Sequence, residues 1–311
     1  MRAVRNTDEG VRVVDVPAPD GPGVRVRVRS AGICGSDLEM LRTGISVATI
    51  GHEIAGELDD GTFVAVHPFT ACGECEYCRN GRAYLCRTVS ESMLGIFVDG
   101  GMSDELRVDG SCLAALPVAV PIEDASLVEP IAVAVHACNR GAIAPGMRVG
   151  VIGAGTIGLL CGAVARDLGA GVGISARHDV QRDTAEALGL ERDVPRNADV
   201  VIEASGTAAG FDDAVKHCRR GGVLVLVSTT WEPISISFLR AQMRELTIVP
   251  AFVYGEAHGE REFDIAVKVL ANHPEIATAL ITHRFGLEDA PHAFAVAADR
   301  AHGAIKVVLQ P

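Results

Sequence analysis

Hydrophobic and polar residues alternate one by one over much of the first third of the chain. In the stretch 24–29, valine and arginine take turns, so the valines can face a core while the arginines face solvent. Short apolar runs at 12–16, 54–58 and 63–66 are separated by Gly, Asp and Pro. This pattern predicts a β-rich region in which 24–29 is a half-buried antiparallel strand with a solvated arginine face.

The hydrophobic period changes in the middle of the chain. Predicted strands lie at 149–152, 172–175, 200–204, 223–227 and 246–250, and predicted helices at 156–168, 180–188 and 211–217. Apolar strands that alternate with helices predict a parallel, doubly wound sheet and thus an α/β fold. Beyond this region, the pattern predicts helices at 262–270 and 288–298 and a closing strand at 305–309.

Composition narrows the possible functions. A chain of 311 residues is long enough for about two domains. Its 28 basic and 40 acidic residues give a net charge of −12, which argues against nucleic acid as a partner. The polar N-terminus is not a secretory signal, and the uncharged stretch 149–165 is shorter than the roughly 20 residues that span a bilayer. We therefore expect a cytoplasmic protein without a membrane partner.

Four cysteines within fifteen residues form the most specific motif, Cys72-x2-Cys75-x2-Cys78-x7-Cys86. Four thiolates on one short loop suit a tetrahedral structural zinc ion. The alternative is a disulfide cluster or a chance pattern. However, the nine cysteines are an odd number, and reduced thiols bound to metal fit the absence of an export signal better.

A second set of potential zinc ligands comes from three separate segments: Cys34, the pair His52 and Glu53, and Glu129. A catalytic zinc site uses three protein ligands and leaves one position open for water or substrate. Cys34, His52 and one carboxylate satisfy that number. We expect Asp37 to bind the other ring nitrogen of His52 and so to orient the imidazole.

The motif Gly153-x-Gly155-x-x-Gly158 follows a predicted strand and opens a predicted helix, which is typical of a dinucleotide-binding turn. Gly153 would permit the tight turn, Gly155 the approach of a pyrophosphate, and Gly158 close packing of helix and strand. Thr156 and Ile157 belong to the helix N-terminus, where free N–H groups favour phosphate. The alternative is a glycine-rich turn without a ligand.

The end of the next predicted strand bears on the choice of cofactor. An NAD site places Asp or Glu there to bind the ribose 2′-hydroxyl, whereas this chain has Ala176, Arg177 and His178. A guanidinium can bind a 2′-phosphate through two hydrogen bonds. We therefore predict a preference for NADP(H), with NAD(H) possible, in which Arg177 is the main contact and His178 or Arg182 assists. The alternative is an exposed arginine in an enzyme that uses both cofactors.

Together these motifs resemble those of the zinc-containing medium-chain dehydrogenase/reductases, the alcohol dehydrogenase superfamily, and more narrowly its polyol, threonine and sugar dehydrogenase branch. The matching segments are GICGSD (32–37), GHE (51–53), CGECEYCRNGRAYLC (72–86), LVEP (127–130), GAGTIG (153–158), DVVIEASG (199–206), the GG of 221–222 and GAIKVVL (303–309). The resemblance covers essentially the whole chain. It implies a GroES-like catalytic domain built from 1–130 and 256–311, which carries both zinc sites, and an inserted Rossmann domain over 131–255.

The resemblance also implies roles for single residues of the catalytic zinc site. In that family, the residues that match Cys34, His52 and Glu129 hold the catalytic zinc, and Glu53 matches an alternate ligand. Ser36 matches the hydroxyl that bonds the substrate oxygen.

Two further residues match positions at the cofactor. Lys306 lies where a basic residue of the family approaches the cofactor phosphates. Ser205, in the segment 199–206, is a further candidate cofactor contact.

Two departures from the family pattern affect the substrate assignment. Glu39 stands where many members have a proton-relay histidine; a carboxylate can also relay protons, and the alternative is a surface glutamate. The stretch between Cys34 and His52 is shorter than usual, so a loop near the substrate is trimmed.

The resemblance implies a zinc-dependent dehydrogenase with two zinc ions per chain that acts on a secondary alcohol, polyol or sugar, or on the corresponding carbonyl compound. Family members are commonly homodimers or homotetramers. An alternative is a biosynthetic reductase of the same superfamily that acts on a larger, ring-bearing ketone. A non-enzymatic zinc- and nucleotide-binding scaffold would require a broken catalytic site, which the residues above do not indicate.

Overall fold

The computed structural model describes residues 1–44, 49–299 and 303–311. In chain order, the strands are β1 (Arg2–Thr7), β2 (Gly10–Asp15), β3 (Val24–Ile33), β4 (Glu53–Glu57), β5 (Phe63–Val66), β6 (Glu105–Val108), β7 (Leu113–Ala115), β8 (Arg148–Ile152), β9 (Gly171–Ser175), β10 (Ala198–Glu203), β11 (Cys218–Leu226), β12 (Thr247–Pro250), β13 (Glu256–Ala257), β14 (Glu260–Arg261), β15 (Ile281–Gly286) and β16 (Lys306–Gln310). The α-helices are α1 (Gly35–Thr43), α2 (Glu76–Arg79), α3 (Val128–Arg140), α4 (Thr156–Asp167), α5 (Asp179–Ala187), α6 (Ala208–His217), α7 (Leu239–Met243), α8 (Glu262–Asn272), α9 (Glu275–Leu280) and α10 (Ala290–Ala298). Short 3-10 helices cover Ala83–Leu85, Val89–Glu91, Gly110–Cys112, Ala125–Leu127 and Leu287–Asp289.

The chain divides into two compact units. Unit 1 comprises Met1–Glu129 and Gly255–Pro311, and unit 2 comprises Pro130–Tyr254. These boundaries lie one residue from those that the family resemblance implies. Unit 1 is therefore assembled from two distant parts of the sequence, whereas unit 2 is one continuous segment.

Unit 1 contains a mainly antiparallel sheet with the strand order β15-β16-β3-β4-β5-β7, and β6 also pairs with β3. The alternating pattern of β3 places Val26 and Val28 in the core. On the other face, Arg25 Nε donates to Glu105 Oε2 at 2.6 Å, and Arg29 Nη2 donates to Glu57 Oε2 at 2.7 Å. The half-buried antiparallel strand predicted for this stretch is confirmed.

The core of unit 1 joins its two sequence segments. Ile54 and Met102 from the first segment belong to the same buried cluster as Leu287, Phe294 and Leu309 from the second. Because β16 lies between β15 and β3, backbone hydrogen bonds also connect the two segments. Neither segment can complete the sheet alone.

Unit 2 is built on a parallel sheet with the order β12-β11-β10-β8-β9, in which every neighbouring pair of strands is parallel. The predicted α/β fold with a parallel, doubly wound sheet is confirmed. The uncharged stretch 149–165 forms most of β8 and of α4. Among the described residues, no helix is long and apolar enough to cross a membrane.

Candidate active site

The first cluster of potential metal ligands lies where β3 and β4 meet. Gly32 of β3 pairs with Glu53 of β4 in antiparallel register, so Cys34, just after β3, comes close to His52, just before β4. One ligand atom from each of Cys34, His52 and Glu53 lies within 4.8 Å of the other two. A thiol, an imidazole and a carboxylate form a donor set that fits zinc.

Asp37 connects two of these ligands. It lies in the first turn of α1 with 0% of its surface exposed. Its Oδ2 accepts a hydrogen bond from the backbone N–H of Cys34 at 2.9 Å, and its Oδ1 lies 3.4 Å from Nδ1 of His52. A carboxylate beside the second ring nitrogen can orient an imidazole ligand and raise its basicity.

Burial and neighbouring charges act in opposite directions on the pKa of His52. Burial lowers this pKa, but the carboxylate of Asp37 and the sulfur of Cys34 together raise it by more than burial lowers it. The result is a pKa well above the ordinary value for histidine. The negative charges of Asp37 and Cys34 thus favour a positive charge at His52.

Two other residues of α1 were predicted to act in the reaction. Ser36 Oγ lies 3.4 Å from Nε2 of His52, on the side of the ring opposite Asp37. Glu39 Oε2 accepts a hydrogen bond from Arg42 Nε at 2.7 Å, and its side chain is 40% exposed. The structure thus places Ser36 at the cluster and Glu39 in an ion pair on the helix surface.

Lys306 is buried beside Glu53 of the ligand cluster. It is 2% exposed, and its Nζ lies 2.7 Å from both carboxylate oxygens of Glu53 and 3.0 Å from the carbonyl oxygen of Ile33. These three acceptors can use all three ammonium donors. Lys306 therefore neutralises Glu53 in this structure, and its approach to the cofactor phosphates stays a prediction.

Glu129 is the other carboxylate predicted at this site. It is 7% exposed, in the first turn of α3. Within the described parts of the chain, the cluster within 4.8 Å consists of Cys34, His52 and Glu53 and does not include Glu129. The family resemblance implies Glu129 as the regular carboxylate ligand and Glu53 as the alternate, and both roles stay predictions.

The second cluster is the cysteine loop of 72–86, which contains α2. The sulfur atoms of Cys72, Cys75, Cys78 and Cys86 lie within 4.8 Å of one another, and all four are free thiols. The N–H of Cys72 donates to Cys86 Sγ at 3.4 Å, and the N–H of Cys75 donates to Cys72 Sγ at 3.3 Å. The first of these hydrogen bonds is the largest of the effects that lower the pKa of Cys86 to about 6. Backbone N–H groups thus stabilise the thiolate form that binds zinc.

In unit 2, the glycine motif links β8 to α4. Gly153 has a φ of 102°, and a Cβ added to it would lie 2.9 Å from the backbone N of Ser205. A Cβ on Gly158 would lie 1.8 Å from the carbonyl oxygen of Gly153, whereas one on Gly155 would meet nothing within 4 Å. The first and third glycines are therefore required by packing, and the second leaves open space at the N-terminus of α4, where a pyrophosphate fits.

The three candidate cofactor contacts after β9 differ in whether their side chains already have partners within the protein. Within the described residues, the exposed guanidinium of Arg177 has no hydrogen-bond or ion-pair partner. Arg182, in contrast, lies 2.6 Å from Asp179 and donates to the carbonyl oxygens of residues 176 and 177. His178 is the residue before α5, and its N–H donates to a side chain of that helix. Of the three candidates, only Arg177 has its charge available to a ligand.

Sequence analysis missed a buried carboxylate at the end of β10. Glu203 is 3% exposed and accepts hydrogen bonds from the N–H of Ser205 at 2.8 Å and from the hydroxyl of Ser228 at 2.5 Å. The sequence did contain a signal, because Glu203 follows three consecutive apolar residues of a predicted strand. An acidic residue in such a run needs several hydrogen-bond donors nearby.

The fold, the two ligand clusters and the glycine motif define a zinc-binding oxidoreductase with a nicotinamide cofactor. Comparison with known protein families leads to the same class of protein. Residues 20–118 match the alcohol dehydrogenase GroES-like domain, and residues 156–272 match the zinc-binding dehydrogenase family.

Individual relatives extend the match over most of the chain. A 2-dehydro-3-deoxy-L-galactonate 5-dehydrogenase from Pseudoalteromonas atlantica is 30% identical over 89% of this chain and 89% of its own length. The crystal structure of galactitol-1-phosphate dehydrogenase from Escherichia coli has a TM-score of 0.89 at 28% identity, with 100% of both chains covered. A zinc-binding dehydrogenase from Sinorhizobium meliloti, bound to NADP, has a TM-score of 0.86 at 27% identity and covers 100% of this chain and 99% of its own.

The chain belongs to the zinc-containing medium-chain dehydrogenase/reductase family, the alcohol dehydrogenase superfamily. It is an oxidoreductase of this family, and its cofactors are zinc and a nicotinamide nucleotide. The family predicted from the sequence motifs is confirmed.

Proposed function

We propose that this protein is an NADP(H)-preferring, zinc-dependent dehydrogenase that interconverts a secondary alcohol of a polyol, sugar or sugar acid and the corresponding carbonyl compound. The arrangement of Cys34, His52, Asp37 and Ser36 at the end of β3 carries this proposal. The names of its relatives, which include dehydrogenases of a sugar acid and of a polyol phosphate, support the substrate class.

The residues of the cluster have separate tasks in this reaction. Cys34 and His52 would hold the zinc ion together with a carboxylate from Glu53 or Glu129. Bound zinc supplies Lewis-acid chemistry that favours the deprotonated form of an alcohol. Asp37 keeps the His52 ring in place, and Ser36 Oγ is positioned to accept the hydroxyl proton of the substrate and to pass it towards solvent. A bound nicotinamide nucleotide would accept a hydride from the carbon that carries this hydroxyl group.

A substrate panel tests the proposed activity. With NADP+, we expect turnover of sugar alcohols and sugar acids that carry a secondary hydroxyl. A set of bulky cyclic ketones with NADPH tests the alternative of a biosynthetic reductase. Activity on the ketones together with inactivity on every polyol would contradict the proposed substrate class.

The cofactor preference rests on the unpaired guanidinium of Arg177. A hydrogen-bonded charge pair with a 2′-phosphate contributes about 1.5 to 3 kcal/mol, so Arg177→Ala is expected to raise the Kd for NADPH by roughly 10- to 100-fold. The Kd for NADH should not change. Arg192→Ala is the matched control, because Arg192 is an exposed arginine of the same unit that pairs with Glu186. An unchanged ratio of the two Kd values in the Arg177 variant would rule out this contact.

We further propose two zinc ions per chain, one at each ligand cluster. Metal analysis of the purified protein should give two zinc ions per chain, and Cys34→Ser should reduce this to one. One zinc ion in the unmodified protein would leave only one of the clusters as a zinc site.

A homodimer or homotetramer is the proposed assembly. Within the described residues, β12 pairs with β11 on one side and presents a free strand edge on the other. The preceding helix α7 exposes 64% of Leu239 and 66% of Met243. Exposed apolar side chains beside an unpaired edge favour association. Light scattering should give a multiple of 32.5 kDa, and replacing both residues by Glu should reduce the mass.

A further inference from the structure

The carboxylate of Glu203 is a buried negative charge at the carboxyl end of β10. Besides the N–H of Ser205 and the hydroxyl of Ser228, it accepts hydrogen bonds from the hydroxyl of Ser205 at 2.5 Å and from the N–H of Gly206 at 3.1 Å. Within the described residues, no cationic side chain forms an ion pair with it. Two of these four partners are backbone N–H groups, which can only donate, and the other two are hydroxyls, which can donate to a carboxylate.

The surrounding structure preserves space for this network. A Cβ added to Gly210, in α6, would lie 1.9 Å from Ser205 Oγ and 2.9 Å from Glu203 Oε1. The hydrogen bonds also connect two loops, since Ser205 follows β10 and Ser228 follows β11. Glu203 therefore connects the ends of two neighbouring strands through its hydrogen bonds.

Glu203 lies at the switch point of the sheet. The first strand of the unit, β8, has β9 on one side and β10 on the other, and ligands of such sheets bind outside the carboxyl ends of the strands at this reversal. If the pyrophosphate binds at the glycine motif after β8 and the 2′-phosphate at Arg177 after β9, the nicotinamide half of the cofactor would extend over the ends of β10 and β11. Those are the two strand ends that Glu203 connects.

We propose that Glu203 is a positioning residue whose charge favours the oxidised cofactor over the reduced one. The oxidised nicotinamide ring carries a positive charge that the reduced ring lacks. A fixed anion in a site of low dielectric constant therefore stabilises NADP+ more than NADPH. This inference rests on the proposed function, since it requires that unit 2 binds the cofactor.

Binding of both redox forms to the zinc-loaded protein tests this inference. NADPH is titrated by its fluorescence, and NADP+ by calorimetry. In Glu203→Gln, the Kd for NADP+ should rise by roughly tenfold more than the Kd for NADPH. Glu203→Asp, which keeps the charge, should retain the ratio of the unmodified protein. Glu191→Gln removes an exposed carboxylate of the same unit and should change neither Kd.

Each alternative has its own result. If Glu203 only maintains the shape of the loops, Glu203→Gln weakens the binding of NADP+ and NADPH equally, and the inference is overturned. Gly210→Ala, which disturbs the loops but keeps the charge, should weaken the binding of both forms equally. If Glu203→Gln does not fold, the same two Kd values are measured for the double variant Glu203→Gln, Ser228→Ala, which leaves no Ser228 hydroxyl facing the new amide. The reference is then the single variant Ser228→Ala. If the unmodified protein binds neither nucleotide, the proposed function fails together with this inference.

Discussion

Asp37 illustrates how one side chain can organise a metal site without being a ligand. Its two oxygens reach different partners, the backbone N–H of Cys34 and the ring of His52. Both partners are potential ligands, so the position of one carboxylate fixes the separation of a sulfur and a nitrogen donor. Loss of such supporting residues lowers metal affinity even though they do not bind the metal.

We therefore expect Asp37→Asn to weaken zinc binding at the cluster of Cys34 and His52. Loss of such a supporting carboxylate reduces metal affinity by about 10- to 100-fold. Competition with a chromogenic chelator measures the change. Glu39→Gln is the control, because Glu39 lies two positions further along α1 and pairs with Arg42 at the surface. Equal zinc retention in all three proteins would contradict the role of Asp37.

His67 gives a pH-dependent contribution to stability that is separate from the metal clusters. Burial, with a smaller effect from the nearby cation of Arg261, lowers the pKa of His67 to about 4, although its hydrogen bond to the carbonyl oxygen of Phe69 at 2.7 Å acts in the opposite direction. In the unfolded chain the pKa is about 6.5. The unfolded state therefore binds more protons between these two values, and stability falls as pH decreases from 6.5 to 4.

From pH 7 to pH 5, His67 should account for about 1 to 2 kcal/mol of the loss in unfolding free energy. Urea unfolding of the unmodified protein and of His67→Gln at both pH values measures this contribution. The contribution of His67 is the difference between the losses of unfolding free energy in the two proteins, because all other titrating groups are common to both. Parallel losses in the two proteins would mean that His67 does not titrate as expected.

At the residue scale, the sequence identified the ligand types but not all of their neighbours. Cys34, His52 and Asp37 were predictable because they lie in short motifs near one another. The contact between Lys306 and Glu53 was not, because it joins positions 253 residues apart through the pairing of β16 with β3. Similarly, spacing alone does not reveal that the carboxylate of Glu53 lies within 4.8 Å of the ligand atoms of Cys34 and His52.

At the scale of elements, the cysteine loop of 72–86 contains little regular structure. One four-residue helix and one 3-10 helix are its only helical elements among the described residues, and the loop exposes Cys72. A loop of this kind has few buried apolar contacts to order it. Metal binding would then supply much of its folding free energy.

Cys78→Ser should therefore remove one zinc ion per chain and lower the unfolding free energy of unit 1. We expect a loss of several kcal/mol, because structural zinc sites contribute about 10 kcal/mol or more of binding free energy. NADPH binding should persist, since its residues lie in unit 2. Metal analysis and thermal unfolding measure the effect, and Glu74→Gln in the same loop is the control. Full zinc content in the Cys78 variant would contradict a four-cysteine site.

The regular elements differ in how far the sequence predicts them. In unit 2 the predicted strands and helices agree closely with those of the structure, because buried parallel strands are continuously apolar and the helices between them have a clear hydrophobic period. The strand β15 was not predicted, since its sequence ITHRFG mixes polar and apolar residues and none of them is fully buried. Its strand conformation depends on pairing with β16, which local sequence does not reveal.

At the scale of the whole molecule, the two units differ in how the chain forms them. Unit 2 has its own sheet and its own buried cluster, which includes Ile152, Val201 and Leu224. All of it comes from one continuous segment. We therefore expect residues 130–254, expressed alone, to fold cooperatively and to bind NADPH. Calorimetric unfolding and a fluorescence titration test this, and a fragment that lacks a cooperative transition would contradict it.

Unit 1 cannot be isolated in the same way, because β16 lies between β15 and β3 and comes from the part of the chain after unit 2. During synthesis on the ribosome, β3, Cys34 and His52 are translated before unit 2, but the strand that completes their sheet emerges only after it. Until then, Glu53 also lacks Lys306. We therefore expect the half of the molecule that holds the metal ligands to be translated first and to finish folding last.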